Sequence, residues 1–178
     1  MKKTIPVWQM AGFIFTSILG TLLHFLFDWT GGSVIAALFS AVNESIWEHM
    51  KLLYYPMLAF SLIEYRRWGR EQESFWCVKL LGQLVGLILI PVLYYTYTGT
   101  LGVEVDWLNI AIFFLVAGFS FWLETKLLQT ERKCRLPYYV AFLLICLIGV
   151  VFTVFTFRTP QIPFFRDPVT GSYGFTAQ

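Results

Sequence analysis

The chain has 178 residues, of which 57% are hydrophobic and only 13% are charged, and its formal net charge is +2. A soluble globular domain carries about 25% charged residues, so this composition excludes an ordinary soluble protein and predicts a membrane protein. No nucleic-acid partner is expected, because the basic residues lie in short loops and form no basic groove or stripe.

Five apolar segments are long enough to cross a membrane as helices. A helix rises about 1.5 Å per residue, so ~20 residues cover the ~30 Å hydrocarbon core. The sequence therefore predicts an all-α membrane protein with five transmembrane helices, at residues 7–27, 43 or 45–65, 75–95, 107–127 and 138–157. Residues 33–42 are apolar but too short to cross, and they are predicted to form a re-entrant or interfacial half-helix.

The basic residues predict how these spans are oriented. Ten of the 13 lie before span one, around the loop between spans two and three, or around the loop between spans four and five. Cytoplasmic loops carry the excess of Lys and Arg, so the N-terminus is predicted inside and the C-terminus outside. The three basic residues on the outer side are Lys51, Arg158 and Arg166. No small-x-small cleavage site follows span one, so we expect it to be retained.

The chain is expected to form one bundle with a folded tail. Residues 1–158 are the predicted transmembrane bundle, and residues 159–178 are an extracytoplasmic tail that packs on the outer face. The sequence DPVTG in the tail is a turn signal. Two interpretations stay open: a lid that brings Arg166, Asp167 or Tyr173 over a pocket, or an interfacial aromatic anchor.

The three cysteines, Cys77, Cys134 and Cys146, form no CxxC pair. Two of them lie near loops that are predicted to be cytoplasmic, and the third is within an apolar span. We therefore expect free thiols, with neither a disulfide nor a cysteine-ligated metal.

Span one carries a polar stripe at its outer end. His24 and Asp28 are four residues apart and share a helix face. Thr21, Gly20 and Ser17 lie within ~60° of His24 on a helical projection. Small residues allow another helix to approach closely, so the imidazole and the carboxylate are predicted to point into the bundle.

The stretch NESIWEHMK, residues 43–51, places four ionisable side chains at the start of span two. A charge at depth in lipid costs at least a few kcal/mol, so these groups should face a cavity or partners. Together with the stripe of span one, they predict an outward-opening polar pocket. On a helical projection the polar arc consists of Glu44, Glu48, Lys51 and Tyr55, and Ser45 and His49 lie on the adjoining arc.

A structural interpretation of the same residues stays open. Ser45 and Glu48 fit a capping box, in which each side chain satisfies a free backbone N–H group at a helix start. Asn43 is an alternative N-cap. Glu48 and Lys51 would then form a neutralising ion pair.

Two further pairs are assigned to packing. Gly82 and Gly86 form a small-xxx-small pair in span three, which is typical of a close helix–helix contact. Glu124, near the inner end of span four, is predicted to pair with Lys79.

The stretches HFLFDWTGG, NESIWEHMKLLYYPML and FFRDPVTGSYG resemble a family of small bacterial integral membrane proteins of unknown function, mostly from Gram-positive organisms. The resemblance covers most of the chain and implies a multi-pass protein of the bacterial plasma membrane. The chain also resembles the alkaline-ceramidase superfamily of membrane hydrolases, because Ser45 and His49 have its Ser-x-x-x-His spacing and Asp28 matches its aspartate. It departs from that superfamily in lacking the late His-x-x-x-His pair and in having five spans rather than seven.

The first functional hypothesis is a membrane hydrolase or transferase that acts on a lipid or lipid-linked substrate. His24, Asp28 and His49 are the predicted ligands of a divalent metal such as zinc, with Glu44 or Glu48 as alternative carboxylates. The predicted catalytic residues are His24, Glu48 and His49. Without a metal, Glu48 and His49 would act as general base and general acid.

Two other hypotheses use the same pocket. One is a binding or transport component for a cation or small polar solute, and the other is an accessory protein that docks another membrane protein. The expected partners are membrane lipids, a second copy of the chain or a partner membrane protein. The predicted ligand-binding residues are Asp28, Asn43, Glu44, Ser45, Lys51, Tyr55, Arg166 and Asp167.

Overall fold

The computed structural model describes residues 4–130, 134 and 136–175. This part of the chain is all-helical and contains no β-strand, only an isolated bridge between Arg166 and Tyr173. The helices are α1 (Ile5–Trp29), α2 (Val34–Ala37), α3 (Ile46–Arg67), α4 (Phe75–Leu101), α5 (Asp106–Gln129) and α6 (Tyr138–Phe157). Five basic residues used in the orientation argument lie outside the described residues: Lys2, Lys3, Arg132, Lys133 and Arg135.

Four of these helices, α1, α4, α5 and α6, are long and apolar enough to cross a membrane. The protein is therefore consistent with a multi-pass membrane protein. The second predicted span, α3, has 22 residues but is not among the four. Its sequence carries Glu48, Lys51 and Glu64, and all three side chains are buried inside the bundle.

Helix α3 is the central element, because it contacts α1, α4 and α6. Its middle residues Leu53 and Tyr54 are fully buried, and the Tyr54 hydroxyl donates a 2.6 Å hydrogen bond to the carbonyl of Ile145 in α6. Helix α5 packs against α1 and α4 on one side of the bundle. A charged helix is tolerated here because its neighbours, rather than lipid, surround its polar groups.

The predicted half-helix is reduced to a single turn. Helix α2 has four residues, and Ala36 and Ala37 are buried against the bundle. Gly31 and Gly32 precede it with φ angles of 63° and 78°, a conformation that glycine adopts without steric cost. These two glycines end α1 and allow the chain to turn back, so residues 33–42 return at the same end of the bundle.

The tail folds back onto the bundle through its aromatic side chains. The ring of Phe165 lies 4.8 Å from that of Trp47 at the start of α3, measured between centroids. The ring of Phe175 lies 5.9 Å from Phe27 and 5.3 Å from Phe157. The tail therefore packs where α1 and α6 end and where α3 begins.

The prediction of free thiols is wrong for two cysteines. Cys77 and Cys134 form a disulfide with their Cα atoms 6.3 Å apart, while Cys146 is free. The first lies near the start of α4 and the second in the α5–α6 connection, so only the tertiary fold brings them together. Disulfides are rare in the cytoplasm, yet the basic residues predict this face to be cytoplasmic.

The small-residue pair of α4 lies in a close helix contact, as the sequence predicts. A Cβ atom on Gly86 would lie 2.7 Å from Ser120 Oγ of α5 and 2.8 Å from Leu53 Cδ2 of α3. A Cβ atom on Gly82 would overlap the carboxyl group of Glu124. These glycines therefore set the distance between α4 and α5.

We predict that Gly86→Ala lowers the thermal stability of the protein in detergent. The added methyl group overpacks the α4–α5 contact, which costs about 1–3 kcal/mol of unfolding free energy. The matched control is Gly99→Ala in the same helix, where a Cβ atom meets nothing within 4 Å. That change should be neutral or stabilising by up to about 1 kcal/mol, because alanine is the better helix former. Equal effects of the two substitutions on the melting temperature would contradict the packing argument.

Candidate functional site

The start of α3 is fixed by local hydrogen bonds. Ser45 is the N-cap, and its Oγ atom accepts a 3.4 Å hydrogen bond from the backbone N–H of Glu48. Asn43 Oδ1 accepts from the backbone N–H of Ser45 at 3.0 Å, and its amide nitrogen donates to the carbonyl of Gly174 in the tail. Half of the predicted capping box is present, because the Glu48 carboxylate accepts instead from the N–H of Val42 at 3.2 Å.

Three potential metal ligands converge next to this helix start. His24 comes from α1, Glu44 from the loop before α3, and His49 from the first turns of α3. One ligand atom of each residue lies within 4.8 Å of those of the other two. The two imidazole rings have centroids 5.3 Å apart, and His49 Nε2 lies 3.4 Å from Glu44 Oε2. Ligand atoms of a tetrahedral zinc ion with bonds of about 2.0–2.2 Å lie about 3.3–3.6 Å apart, so these atoms would have to approach by up to about 1.5 Å.

The backbone orients His49 toward the other two ligands. His49 Nδ1 lies 3.0 Å from the carbonyl oxygen of Ser45, which can only accept a hydrogen bond. Nδ1 therefore carries a proton, and Nε2 faces Glu44 and His24. A backbone carbonyl commonly fixes a metal-binding histidine in this way. His24 Nδ1 is buried and has no hydrogen-bond partner among the described residues.

The charge state of Glu44 suits a ligand. The hydrogen bond from His49 lowers the pKa of this carboxyl group below its ordinary value, although partial burial opposes the shift. Glu44 is therefore ionised at neutral pH. His49 Nε2 carries a proton in that hydrogen bond, and a cation that binds both residues must displace this proton.

The cluster opens into a cavity of about 340 Å³ between α1, α3, α4 and α5. The polar groups other than the cluster are Thr21, Tyr94, Glu104 and Asn109. Most of the remaining wall is aliphatic or aromatic, including Phe25, Ile90, Phe113 and Phe114. An apolar cavity with a few convergent polar groups is typical of a small-molecule or lipid site.

The α4–α5 side of this cavity was not predicted from the sequence. Asn109 donates a 2.9 Å hydrogen bond to Glu104 Oε1 and accepts one of 2.5 Å from the Tyr97 hydroxyl. These residues lie near the turn between α4 and α5, far from the histidines in sequence. No motif spacing relates them to the cluster, so only the helix packing shows the connection.

Glu48 and Lys51 lie apart from the cavity in a buried ion pair. Lys51 Nζ is 2.5 Å from Glu48 Oε2, and it donates to the carbonyl of Ala37 and to Thr156 Oγ1, each at 3.0 Å. Thr156 Oγ1 lies 2.9 Å from Glu48 Oε1. The pair ties α3 to α2 and α6. Its geometry matches the structural interpretation of these residues, and the predicted catalytic role of Glu48 gains no support from it.

Six other predicted site residues also lie outside the cavity wall, and two of them, Asn43 and Ser45, form the helix cap described above. Asp28 is exposed and is not part of the three-residue cluster. The Tyr55 hydroxyl donates to the carbonyl of Gly149 on α6 at 3.3 Å. Asp167 is buried within the tail, where its carboxylate accepts from the N–H of Val169 and from Thr170, and Arg166 is exposed.

The chain belongs to a family of unknown function, DUF6512, which matches residues 1–175. This match confirms the expectation of a family without an assigned activity. The Gram-positive distribution and the alkaline-ceramidase likeness stay expectations from the sequence. No curated protein and no solved structure matches the chain.

We predict that Lys51→Met destabilises the fold by about 3–5 kcal/mol, because it leaves the Glu48 carboxylate buried without its cation. The double variant Glu48→Gln with Lys51→Met should recover much of this loss, since both charges are removed. Thermal and chemical unfolding in detergent measure the effect. As a control, Lys126→Met at an exposed position of α5 should change stability by less than about 0.5 kcal/mol. A double variant no more stable than the single one would contradict the ion-pair account.

Proposed function

We propose that this member of the DUF6512 family is an integral membrane enzyme, a metal-dependent hydrolase or transferase that acts on a lipid or lipid-linked substrate. The observation that carries the proposal is the convergence of His24, Glu44 and His49 on one apolar cavity inside a helical bundle. The neighbouring cavity distinguishes this cluster from a solvated group of surface acids.

The donor set suits catalysis better than a purely structural metal site. Two imidazoles and one carboxylate make three protein ligands, which leave a fourth position on a tetrahedral zinc ion for water or substrate. A divalent ion bound there would supply a water activated near neutral pH. The chain's own contribution is to orient His49 through the carbonyl of Ser45 and to hold Glu44 ionised.

The cavity wall favours an amphiphilic substrate. Phe113, Phe114 and Ile90 offer an apolar surface to an acyl or prenyl chain. Glu104 and Asn109 are held together by a 2.9 Å hydrogen bond and are positioned to bind a polar headgroup. The volume of about 340 Å³ lies within the ~300–1,000 Å³ range of ligand pockets.

The proposed orientation places the site at the outer face of a bacterial plasma membrane. The cluster lies where α1 ends and α3 begins, at the opposite end of the bundle from the loops around Arg66, Arg70 and Lys126. By the positive-inside rule those loops are cytoplasmic. The substrate would then enter from the outer leaflet.

We predict that the purified protein, stripped with a chelator, binds one equivalent of Zn²⁺ by isothermal titration calorimetry. His24→Ala and His49→Ala should each weaken binding at least about 100-fold, because each removes a ligand. Affinity should fall as the pH is lowered, since protons then compete with the metal for the imidazoles.

The matched control for zinc binding is Asp28→Asn, an acid in α1 that lies outside the cluster. It should bind zinc with nearly unchanged affinity. Unaltered zinc binding by both histidine variants, or a loss in Asp28→Asn as large as theirs, would contradict the assigned ligand set.

A second measurement separates the enzyme from the transport alternative. Liposomes containing the protein are incubated with fluorescent glycerolipids and with a polyprenyl phosphate, and products are separated by chromatography. The proposal predicts turnover that is lost on chelation and in His49→Ala and is restored to the wild type by zinc. Zinc uptake into the liposomes without turnover of any lipid would instead support a transport component.

Labelling of single cysteines tests the membrane orientation of the protein. The background is a variant in which all three native cysteines are replaced by serine, and size-exclusion chromatography checks that it folds. Val103 and Arg70 are exposed near opposite ends of the bundle. We expect Val103→Cys to react with a membrane-impermeant maleimide in intact cells, and Arg70→Cys only after permeabilisation. The reverse pattern would place the Cys77–Cys134 face outside and the histidine cluster inside.

A further inference from the structure

A second polar cluster lies at the other end of the bundle. Gln9 of α1, Glu64 of α3, Lys79 of α4 and Glu124 of α5 meet there, and each is at most 2% exposed. Lys79 and Glu124 lie about 6–8 Å inside their helix ends, at about 1.5 Å per residue. The predicted Lys79–Glu124 pair is thus confirmed, but it is part of a larger cluster.

Both carboxylates bind the same ammonium group. Lys79 Nζ lies 2.5 Å from Glu124 Oε2 and forms an equally direct ion pair with Glu64 Oε2. It also donates to Gln9 Oε1 at 3.5 Å. The rings of Phe75 and Phe121 lie 5.5 Å and 5.7 Å from Lys79 Nζ and cover the rest of the group.

The charges of this cluster do not balance when every group is ionised. Glu64 and Glu124 carry two negative charges, and Lys79 carries one positive charge. Among the described residues, no other cation lies within ion-pair distance of either carboxylate. An uncompensated charge in a fully buried site costs several kcal/mol, and a carboxyl group avoids that cost by binding a proton.

The hydrogen bonds show which carboxyl group is better suited to hold the proton. Glu64 Oε1 accepts a 2.7 Å hydrogen bond from the amide of Gln9, in addition to the contact of its other oxygen with Lys79. Glu64 Oε2 makes no hydrogen bond but keeps its ion pair with Lys79, whereas Glu124 Oε1 has neither a hydrogen bond nor an ion pair among the described residues. Donors favour the ionised form, so Glu64 is better stabilised as a carboxylate than Glu124.

Other buried polar groups continue from Glu124 toward the middle of the bundle. Glu124 Oε1 lies against the backbone of Gly82, and Ser120, one turn earlier on α5, lies against Gly86. Gln83 lies one turn beyond Lys79 on α4, is 1% exposed, and has no partner for either amide atom among the described residues. Buried polar atoms are normally hydrogen-bonded, so the unpartnered atoms of Glu124, Ser120 and Gln83 leave donors and acceptors free on this side of the cluster.

The geometry favours a proton over a metal ion. The space between the two carboxylates is occupied by Lys79 Nζ, which contacts both. A hard divalent cation takes six or more oxygen ligands, and the described residues offer two carboxylates and one amide oxygen here. A proton needs only the lone pair of one oxygen.

We propose that the cluster of Gln9, Glu64, Lys79 and Glu124 is a proton-binding site, with Glu124 as the carboxyl group that takes up and releases the proton. Uptake converts the Glu124 carboxylate to the neutral acid and changes the net charge of the cluster from −1 to 0. Release reverses this step. The site is independent of the histidine cluster, so it stands whether or not the protein is a metalloenzyme.

Infrared difference spectroscopy of the protein in liposomes tests this proposal. At pH 7 the wild type should show the C=O band of a protonated carboxylic acid, shifted in D₂O and lost at alkaline pH. Glu124→Gln should remove this band, whereas Glu73→Gln, a change of an exposed acid near the same end, should leave it intact. Lys79→Met should roughly double the band, because without the ammonium group both carboxyl groups must be neutral.

Three results would overturn the proposal. These are no protonated-acid band in the wild type at pH 7, a band that persists in Glu124→Gln, or a band that disappears when sodium replaces potassium at constant pH. The last result would indicate a cation site. If Glu124→Gln fails to fold, the doubled band in Lys79→Met and the effect of sodium exchange on the wild-type band still distinguish a proton site from a cation site.

Discussion

The structure depends on one constraint, which is that charges inside an apolar helical bundle must be surrounded by protein groups that compensate them. Helix α3 supplies three of these buried charged side chains, Glu48, Lys51 and Glu64. At one end Lys51 neutralises Glu48 and links α2, α3 and α6. At the other end Lys79 is shared by two carboxylates. Removing one partner of either arrangement leaves a buried charge uncompensated, which costs about 3–5 kcal/mol.

Much of the fold follows from the sequence because apolar length and small-residue spacing are local signals. Four predicted spans, the short element after α1 and the Gly82–Gly86 contact are all found in the structure. The sequence predicts α3 as a fifth span with a polar outer half. Helix α3 is not among the four helices apolar enough to cross, and its charges are buried against neighbouring helices. The Cys77–Cys134 disulfide could not be predicted either, because it depends on how the α5–α6 connection lies against α4.

In the candidate site, too, some features follow from local sequence patterns and others only from the tertiary structure. The i,i+4 pattern predicts His24 and Asp28 on one inward face, but only His24 lines the cavity and Asp28 is exposed. The polar start of α3 predicts His49 near His24, and the structure brings these two together. A helical projection that begins at Glu44 groups Glu44 with Glu48 and Lys51 and puts His49 on the adjoining arc. It therefore does not separate Glu44, which lines the cavity, from the buried Glu48–Lys51 ion pair. That separation arises from the Ser45 cap, which fixes where α3 begins and so sets the phase of its side chains. The ionisable residues of this region therefore form two groups. Glu48 and Lys51 form a structural ion pair, and His24, Glu44 and His49 form a cluster beside the cavity.

The central claim is that His24, Glu44 and His49 together hold a metal ion beside the apolar cavity. X-ray absorption at the zinc edge of the loaded protein tests it most directly, because the spectrum reports the atoms bound to the metal. The account predicts nitrogen and oxygen neighbours at about 2.0–2.2 Å, with the outer-shell scattering of two imidazole rings that falls to one ring in His24→Ala. Sulfur neighbours at about 2.3 Å, or a spectrum without imidazole scattering, would contradict it.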